Sequence, residues 1–248
     1  MINQAVILAG GMGKRLKPIT DKLPKPMAPI NNKPFMDYLI KSIVDVGINN
    51  ILILTGHKAE IIEKRYADMQ KINIKFHRGK ITDKTGTRLI NAFHLLDNNF
   101  LLLYGDNFWP IELIEMGENY IKLNSDVCTT VFSNKNGTGE YGTENNIAVD
   151  KNGLVNFYDK KRSSKRTNGV DIGYFIINKN ILNNIKLDNP SFEVDILPKL
   201  IIENSLYAYI TDRQYYYITD VNSLKYFSII VREKNYKPLG EKYFGKKL

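Results

Sequence analysis

The chain has 248 residues, enough for one medium-sized domain with a substantial buried core. Its 43% hydrophobic and 25% charged content is that of an ordinary soluble protein and excludes a disordered or fibrous chain. A formal charge of +9 fits a polyanionic ligand such as a triphosphate, a nucleic acid or a membrane surface, or else a solvated basic surface.

No leader is expected before the first element, residues 4–9, a continuously apolar run that reads as a parallel strand buried on both faces. A Gly- and Pro-rich loop follows over 10–34. Residues 35–46 carry apolar side chains at helical spacing, with Gly47 placed to end the helix. Residues 51–55 read as a strand, 59–69 as a helix, 72–76 as a strand, 87–96 as a helix and 100–104 as a strand ending in Gly-Asp-Asn. This βαβαβαβ order predicts an α/β fold with a doubly wound, mostly parallel sheet, in which ligands bind at the carboxyl ends of the strands. The second half predicts a β-rich lobe. Its elements are a strand at 126–131, a hairpin at 146–158 around Asp150-Lys-Asn-Gly153, and a strand at 170–177. A helix follows at 192–203, bent or started near Pro198, then a strand at 215–218 and a closing helix at 222–233. The single cysteine, Cys128, cannot form an internal disulfide and fits a reducing cytoplasm.

The excess positive charge lies mostly at 160–166 and in the tail, 237–248, which is expected to be partly disordered. A basic stripe with interleaved aromatics is missing, so an RNA-binding protein is disfavoured. No apolar run reaches the roughly 18–20 residues that span a bilayer, so no membrane partner is expected. The three histidines, His57, His77 and His94, lack zinc-site spacing, and Trp109 reads chiefly as a packing residue.

The chemistry concentrates in Leu8-Ala-Gly-Gly-Met-Gly-Lys-Arg-Leu16 and Leu23-Pro-Lys-Pro-Met27. Gly10, Gly11 and Gly13 allow the backbone to approach a ligand, and exposed N–H groups there can cradle phosphate oxygens. Lys14, Arg15 and Lys25 add cations. A P-loop is excluded because Arg15, not Ser or Thr, follows Lys14. A dinucleotide fingerprint is excluded by glycine spacing and by five prolines between 18 and 34.

Residues 9–40, with Gly-Gly-x-Gly-x-Arg-Leu followed by Pro-Lys-Pro, closely resemble the opening of sugar-1-phosphate nucleotidyltransferases, and the similarity runs through about residue 227. The resemblance implies a Rossmann-like nucleotidyltransferase domain over 1–236, with a nucleotide-binding half at 1–125 and a sugar-phosphate-binding half at 126–236. It implies that Leu8, Ala9, Gly10, Gly11, Gly13 and Lys14 wrap the nucleotide, with Arg15 and Lys25 acting on the phosphates. Asp106 and Asp220 match the two aspartates that hold Mg²⁺, although Asn222 replaces a glycine usual near the second. Thr85-Gly86-Thr87-Arg88-Leu89 stands where relatives read the base. Tyr141, Gly142, Asp159, Lys160, Asp171 and Glu193 match sugar-phosphate positions, with Asp159 shortened from Glu and Asp171 in place of Asn. The plainer alternatives are a helix N-cap or turn role for Asp106, solvation for Lys160 and a first-turn helix acid for Glu193.

The implied reaction joins a nucleoside triphosphate to a sugar 1-phosphate, giving an NDP-sugar for surface-glycan synthesis and releasing pyrophosphate. Ser191-Phe-Glu-Val-Asp195 is similar to heptose-1-phosphate guanylyltransferases and favours GTP with a heptose or hexose 1-phosphate. Arg88 is more similar to cytidylyltransferases and keeps CTP open. A non-catalytic nucleotide- or sugar-phosphate-binding regulator is the alternative of another class. The resemblance also allows a homo-oligomer, and the length after the closing helix predicts no appended β-helix domain.

Overall fold

Residues 2–135 and 144–245 are described by the computed structural model. The first strand, β1 (Gln4–Leu8), is buried along its whole length, as an apolar run without alternation requires. It pairs in parallel with β2 (Asn50–Thr55), which pairs in parallel with β3 (Asn73–Arg78). With β4 (Asn99–Tyr104), β5 (Val127–Phe132), β6 (Val170–Asn178) and β7 (Leu206–Thr211), these form a mostly parallel seven-stranded sheet in the order β7-β5-β6-β4-β1-β2-β3. β5 and β6 pair antiparallel, from Val170↔Phe132 to Ile177↔Val127, with a register shift between Asp171 and Phe175. Among the described residues no helix is long and apolar enough to cross a membrane.

The chain divides into two compact units. One comprises Asn3–Thr82, Leu103–Ile111 and Tyr216–Leu248; the other, inserted in it, comprises Met1–Ile2, Asp83–Leu102 and Glu112–Tyr215. In the outer unit, α1 (Phe35–Asp45) buries Phe35, Met36, Leu39, Ile40 and Ile43 and ends where Gly47 adopts φ +87, a left-handed conformation that glycine takes without penalty. The closing helix of the chain, Val221–Glu233, sets Phe227 edge-on to Phe35 at 5.2 Å and against Phe108 at 5.1 Å.

As far as Gly245 the basic tail is docked on the outer unit. Leu239 is buried and its N–H donates to Asp37 O at 3.0 Å, while Gln70 N–H donates to Tyr243 O at 2.7 Å. The guanidinium of Arg65, on α2 (Ala59–Tyr66), lies 4.8 Å from the Phe244 ring centroid. Charge alone suggests a solvated tail, but Leu239 and Phe244 supply the apolar surface that anchors it.

In the inserted unit the expected hairpin is present: Ile147–Val149 pairs antiparallel with Val155–Tyr158. Its turn is closed by Asp150 Oδ1, which accepts from Asn152 N and Leu154 N at 2.8 and 2.9 Å. The expected 192–203 helix is two pieces, a π-helical turn at Phe192–Ile196 and an α-helix at Leu197–Ile202, with Pro198 in the first turn of the second. A proline fits there because first-turn N–H groups have no intrahelical partner. Two of the longer elements were not singled out in the sequence. One is the helix Leu113–Lys122, whose central Gly117 weakens its signature, and the other is β7. Trp109 is fully buried, in keeping with a packing role, and burial pushes the Cys128 thiol up to about 12, which makes it unreactive.

Candidate active site

In the outer unit the glycine-rich segment leaves the end of β1. Ala9 N–H donates to Leu54 O at 3.0 Å, and Gly10 O accepts from His57 N at 3.1 Å, so the loop starts anchored to the end of β2. Gly13 has φ +62, and a Cβ there would lie 2.9 Å from Thr20 Cγ2 and 3.0 Å from Lys25 Cβ. Both its conformation and its surroundings therefore demand glycine. Its carbonyl accepts from Thr20 Oγ1 at 3.0 Å and Leu16 N at 2.9 Å, which folds the chain into the 3₁₀ turn Lys14–Leu16. That turn buries Leu16 while Gly11, Lys14 and Arg15 stay exposed.

Lys25 and Asp106, 81 residues apart, meet in this unit. Lys25 is only 9% exposed, and its Nζ donates to Asp106 Oδ2 at 2.5 Å. The residue that allows this is Gly105, which sequence reading treated only as part of the strand-end motif. Its N–H donates to Leu8 O at 2.9 Å, and a Cβ on it would meet that oxygen at 2.8 Å and Pro26 Cγ at 3.2 Å. The end of β4 can thus lie directly against the end of β1 and the Pro-Lys-Pro segment.

Asp220 is tied to the same strand end. Ile218 N–H donates to Asp106 O at 3.0 Å, extending the ladder in which Tyr217 pairs with Asn107. Asp220 is the N-cap of the closing helix: its Oδ1 accepts from Ser223 N at 2.9 Å, and Ser223 Oγ accepts from Asp220 N at 3.0 Å. Hydrogen bonds from Ser223, then Asn222, and the nearby Arg15 guanidinium hold the Asp220 carboxyl below its ordinary range. Two opposed-charge pairs therefore stand beside the glycine loop, Lys25 with Asp106 and Arg15 with Asp220, on backbone segments linked by the Ile218–Asp106 bond.

In the inserted unit Gly86, Thr87 and Arg88 are brought against the segment that carries Glu193. The helix α3 (Thr85–Asn91) carries Gly86, Thr87 and Arg88. Thr87 N–H donates to Pro190 O at 3.0 Å and its Oγ1 to Asn189 Oδ1 at 2.9 Å. Arg88 is 4% exposed, and burial lowers its pKa against the opposing influence of Asp83. Glu193 Oε2 accepts from Thr85 Oγ1 at 2.8 Å and Ser191 Oγ at 2.7 Å. The half-buried Asp171 accepts from Thr129 Oγ1 and Gly173 N, each at 3.0 Å, and also bonds the Tyr158 hydroxyl. Burial pushes the Asp171 carboxyl up to about 6, with the Glu193 charge adding to the shift and the Thr129 and Gly173 bonds opposing it.

Asp159 is turned into its own loop, where its carboxylate accepts from the N–H groups of Lys161, Ser163 and Ser164 and sits below its ordinary pKa. It shapes the segment that carries the exposed Lys160. Tyr141 and Gly142 lie outside the described residues. Thr85 and Ser191 stood in the sequence only as members of their motifs, with no role of their own, and Asn189, Thr129 and Tyr158 were not marked, because isolated hydroxyls and amides give no periodic signal.

The glycine loop, its buried lysine and the strand-end aspartates define a class of protein. Residues 4–227 match the nucleotidyl transferase family, and the chain belongs to it. It is 31% identical to the D-glycero-α-D-manno-heptose 1-phosphate guanylyltransferase of Aneurinibacillus thermoaerophilus, across 84% of this chain and 90% of that protein. It is 33% identical to the enzyme of that same name from Campylobacter jejuni, across 77% of this chain and 83% of that protein. Among solved structures, HddC from Yersinia pseudotuberculosis complexed with GMP-PN superposes with a TM-score of 0.77 at 25% identity, covering 92% of this chain and 99% of that one.

Proposed function

We propose that this enzyme transfers a guanylyl group from GTP to D-glycero-α-D-manno-heptose 1-phosphate, or to a closely related sugar 1-phosphate, releasing pyrophosphate. The observation that carries the reading is the near full-length similarity to two heptose 1-phosphate guanylyltransferases. The Lys25–Asp106 pair beside the glycine loop supports nucleotidyl transfer in particular. The activated sugar would serve surface-glycan synthesis in the cytoplasm.

The attacking group is a phosphate oxygen that is already ionised, so the reaction requires no general base. It requires two anions to be held in line and the charge on the transferred group to be offset. Arg15, Lys14 and the backbone of Gly10–Gly13 serve the triphosphate. Lys25, with three N–H donors of which one goes to Asp106, is built to reach the α-phosphoryl oxygens as charge develops. Lys160 and Glu193 serve the sugar phosphate and its hydroxyls, and Asp171 with Tyr158 borders them. Asp106 and Asp220 offer two hard carboxylates on backbone segments joined by the Ile218–Asp106 hydrogen bond, a donor set that suits Mg²⁺. These two carboxylates would hold Mg²⁺, whose charge would offset that of the triphosphate.

The 1–125 half is assigned to the nucleotide and the 126–236 half to the sugar phosphate. Arg88 supports a second reading of the base, CTP. A screen of GTP, CTP, UTP, ATP and dTTP against heptose, mannose and glucose 1-phosphates, read by pyrophosphate release, tests both. Highest kcat/KM with GTP and the heptose is expected. Preference for CTP rejects the base assignment, and no release with any pair rejects the reaction.

A further inference from the structure

The first turn of α3 and the 189–196 segment are joined by side chains that direct contact with either substrate does not require. Thr85 Oγ1 donates to Glu193 Oε2 at 2.8 Å and accepts from Phe192 N at 2.8 Å. From the other side, Asn189 Oδ1 accepts from Lys84 N at 2.8 Å and from Thr87 Oγ1 at 2.9 Å. Gly86 lies between them. A Cβ there would stand 2.7 Å from Pro190 O and 2.9 Å from Ile196 Cδ1, so the two backbones approach as closely as they do because this residue is glycine.

We propose that Thr85 is a positioning residue for the sugar 1-phosphate: its hydroxyl sets the orientation of the Glu193 carboxylate, and the surrounding clasp ties that carboxylate to the segment assigned to the base. The inference rests on the nucleotidyl transfer proposed above and on Glu193 as a sugar ligand. A glutamate free to rotate loses side-chain entropy when it captures a hydroxyl, whereas one held beforehand loses little. Thr85 and Ser191 both donate to a single carboxylate oxygen, Oε2. Two donors on one oxygen of a carboxylate fix the orientation of the group. Thr85→Val keeps the shape but removes both the donor to Glu193 and the acceptor for Phe192 N–H; Thr85→Ser keeps both.

Steady-state pyrophosphate release, with heptose 1-phosphate and GTP varied in turn, tests this on wild type, Thr85→Val, Thr85→Ser, Glu193→Gln and the Thr85→Val/Glu193→Gln double variant. Thr85→Val is expected to lower kcat/KM for the sugar phosphate about tenfold, the loss of a hydrogen bond to a charged group. KM for GTP should stay within about twofold, because the nucleotide keeps its contacts. Thr85→Ser should restore the wild-type value, and the double variant should be no worse than Glu193→Gln alone. Unchanged sugar kinetics in Thr85→Val, no rescue by serine, or full additivity overturns the inference. If Thr85→Val does not fold, Ser191→Ala, which removes the other hydroxyl on Oε2, must show the same selective loss or the inference falls. Wild-type turnover that Glu193→Gln leaves intact overturns the inference and spares the reaction. A wild-type chain without turnover defeats both.

Discussion

Lys25 and Asp106 each hold the other in place, and each carries a charge suited to a phosphoryl group or its counter-ion. Removing one oriented electrostatic contact at a reacting centre costs about 3 kcal/mol of transition-state stabilisation. Lys25→Ala and Asp106→Asn are therefore each expected to lower kcat at least about a hundredfold. Near-normal pyrophosphate release by either folded variant would remove that residue from the site. Asp171 makes a prediction of another kind. Its folded pKa of about 6 lies above the ordinary aspartate value of about 3.9. Between these values the native state keeps a proton that the unfolded chain has lost, so stability falls as pH rises through the window and the full penalty stands above it. Asp171→Asn should thus gain in melting temperature relative to wild type on going from pH 4.5 to pH 7.5. A difference between the two proteins that does not change with pH would contradict it.

At the scale of elements, the tail and helices α1 and α2 share one buried ion pair. Asp37 on α1 is 0% exposed and accepts from Arg65 Nη2 at 2.5 Å, Arg65 Nε at 3.1 Å and Tyr66 Oη at 2.6 Å. Arg65→Ala leaves a buried carboxylate without its counter-charge and is expected to cost about 3 kcal/mol in urea unfolding. Phe244→Ala removes a ring stacked on the same guanidinium and should cost about 1 kcal/mol. Equal losses would mean that the tail, not the pair, carries the stability of this region. These elements also show how far pattern reading reaches. The α1 helix and its Gly47 end are legible because 3.6-residue periodicity and a left-handed glycine are local properties. The docked tail is not, because Leu239 and Phe244 are single apolar residues in a basic run. The 192–203 segment is half-legible: Pro198 marks a helix start correctly, but nothing local distinguishes a π turn from an α turn before it.

At the scale of the molecule, the βαβαβαβ order of the first half, the glycine loop, Pro24-Lys25-Pro26 and the family follow from the sequence by itself. They rest on burial periodicity and on residue types at fixed short spacing, which chemistry constrains locally. The tertiary structure alone decided which side chains meet: Lys25 with Asp106 across 81 residues, and Thr85 with Glu193 across 108. It also showed that Gly105 is needed for close approach to Leu8 O, that Asp220 doubles as a helix cap, and that Asp159 turns into its own loop rather than outward. Such pairings depend on which strands lie side by side and where their connecting segments return. Periods of 2 and 3.6 residues specify which face of an element is buried, but not what that face is buried against.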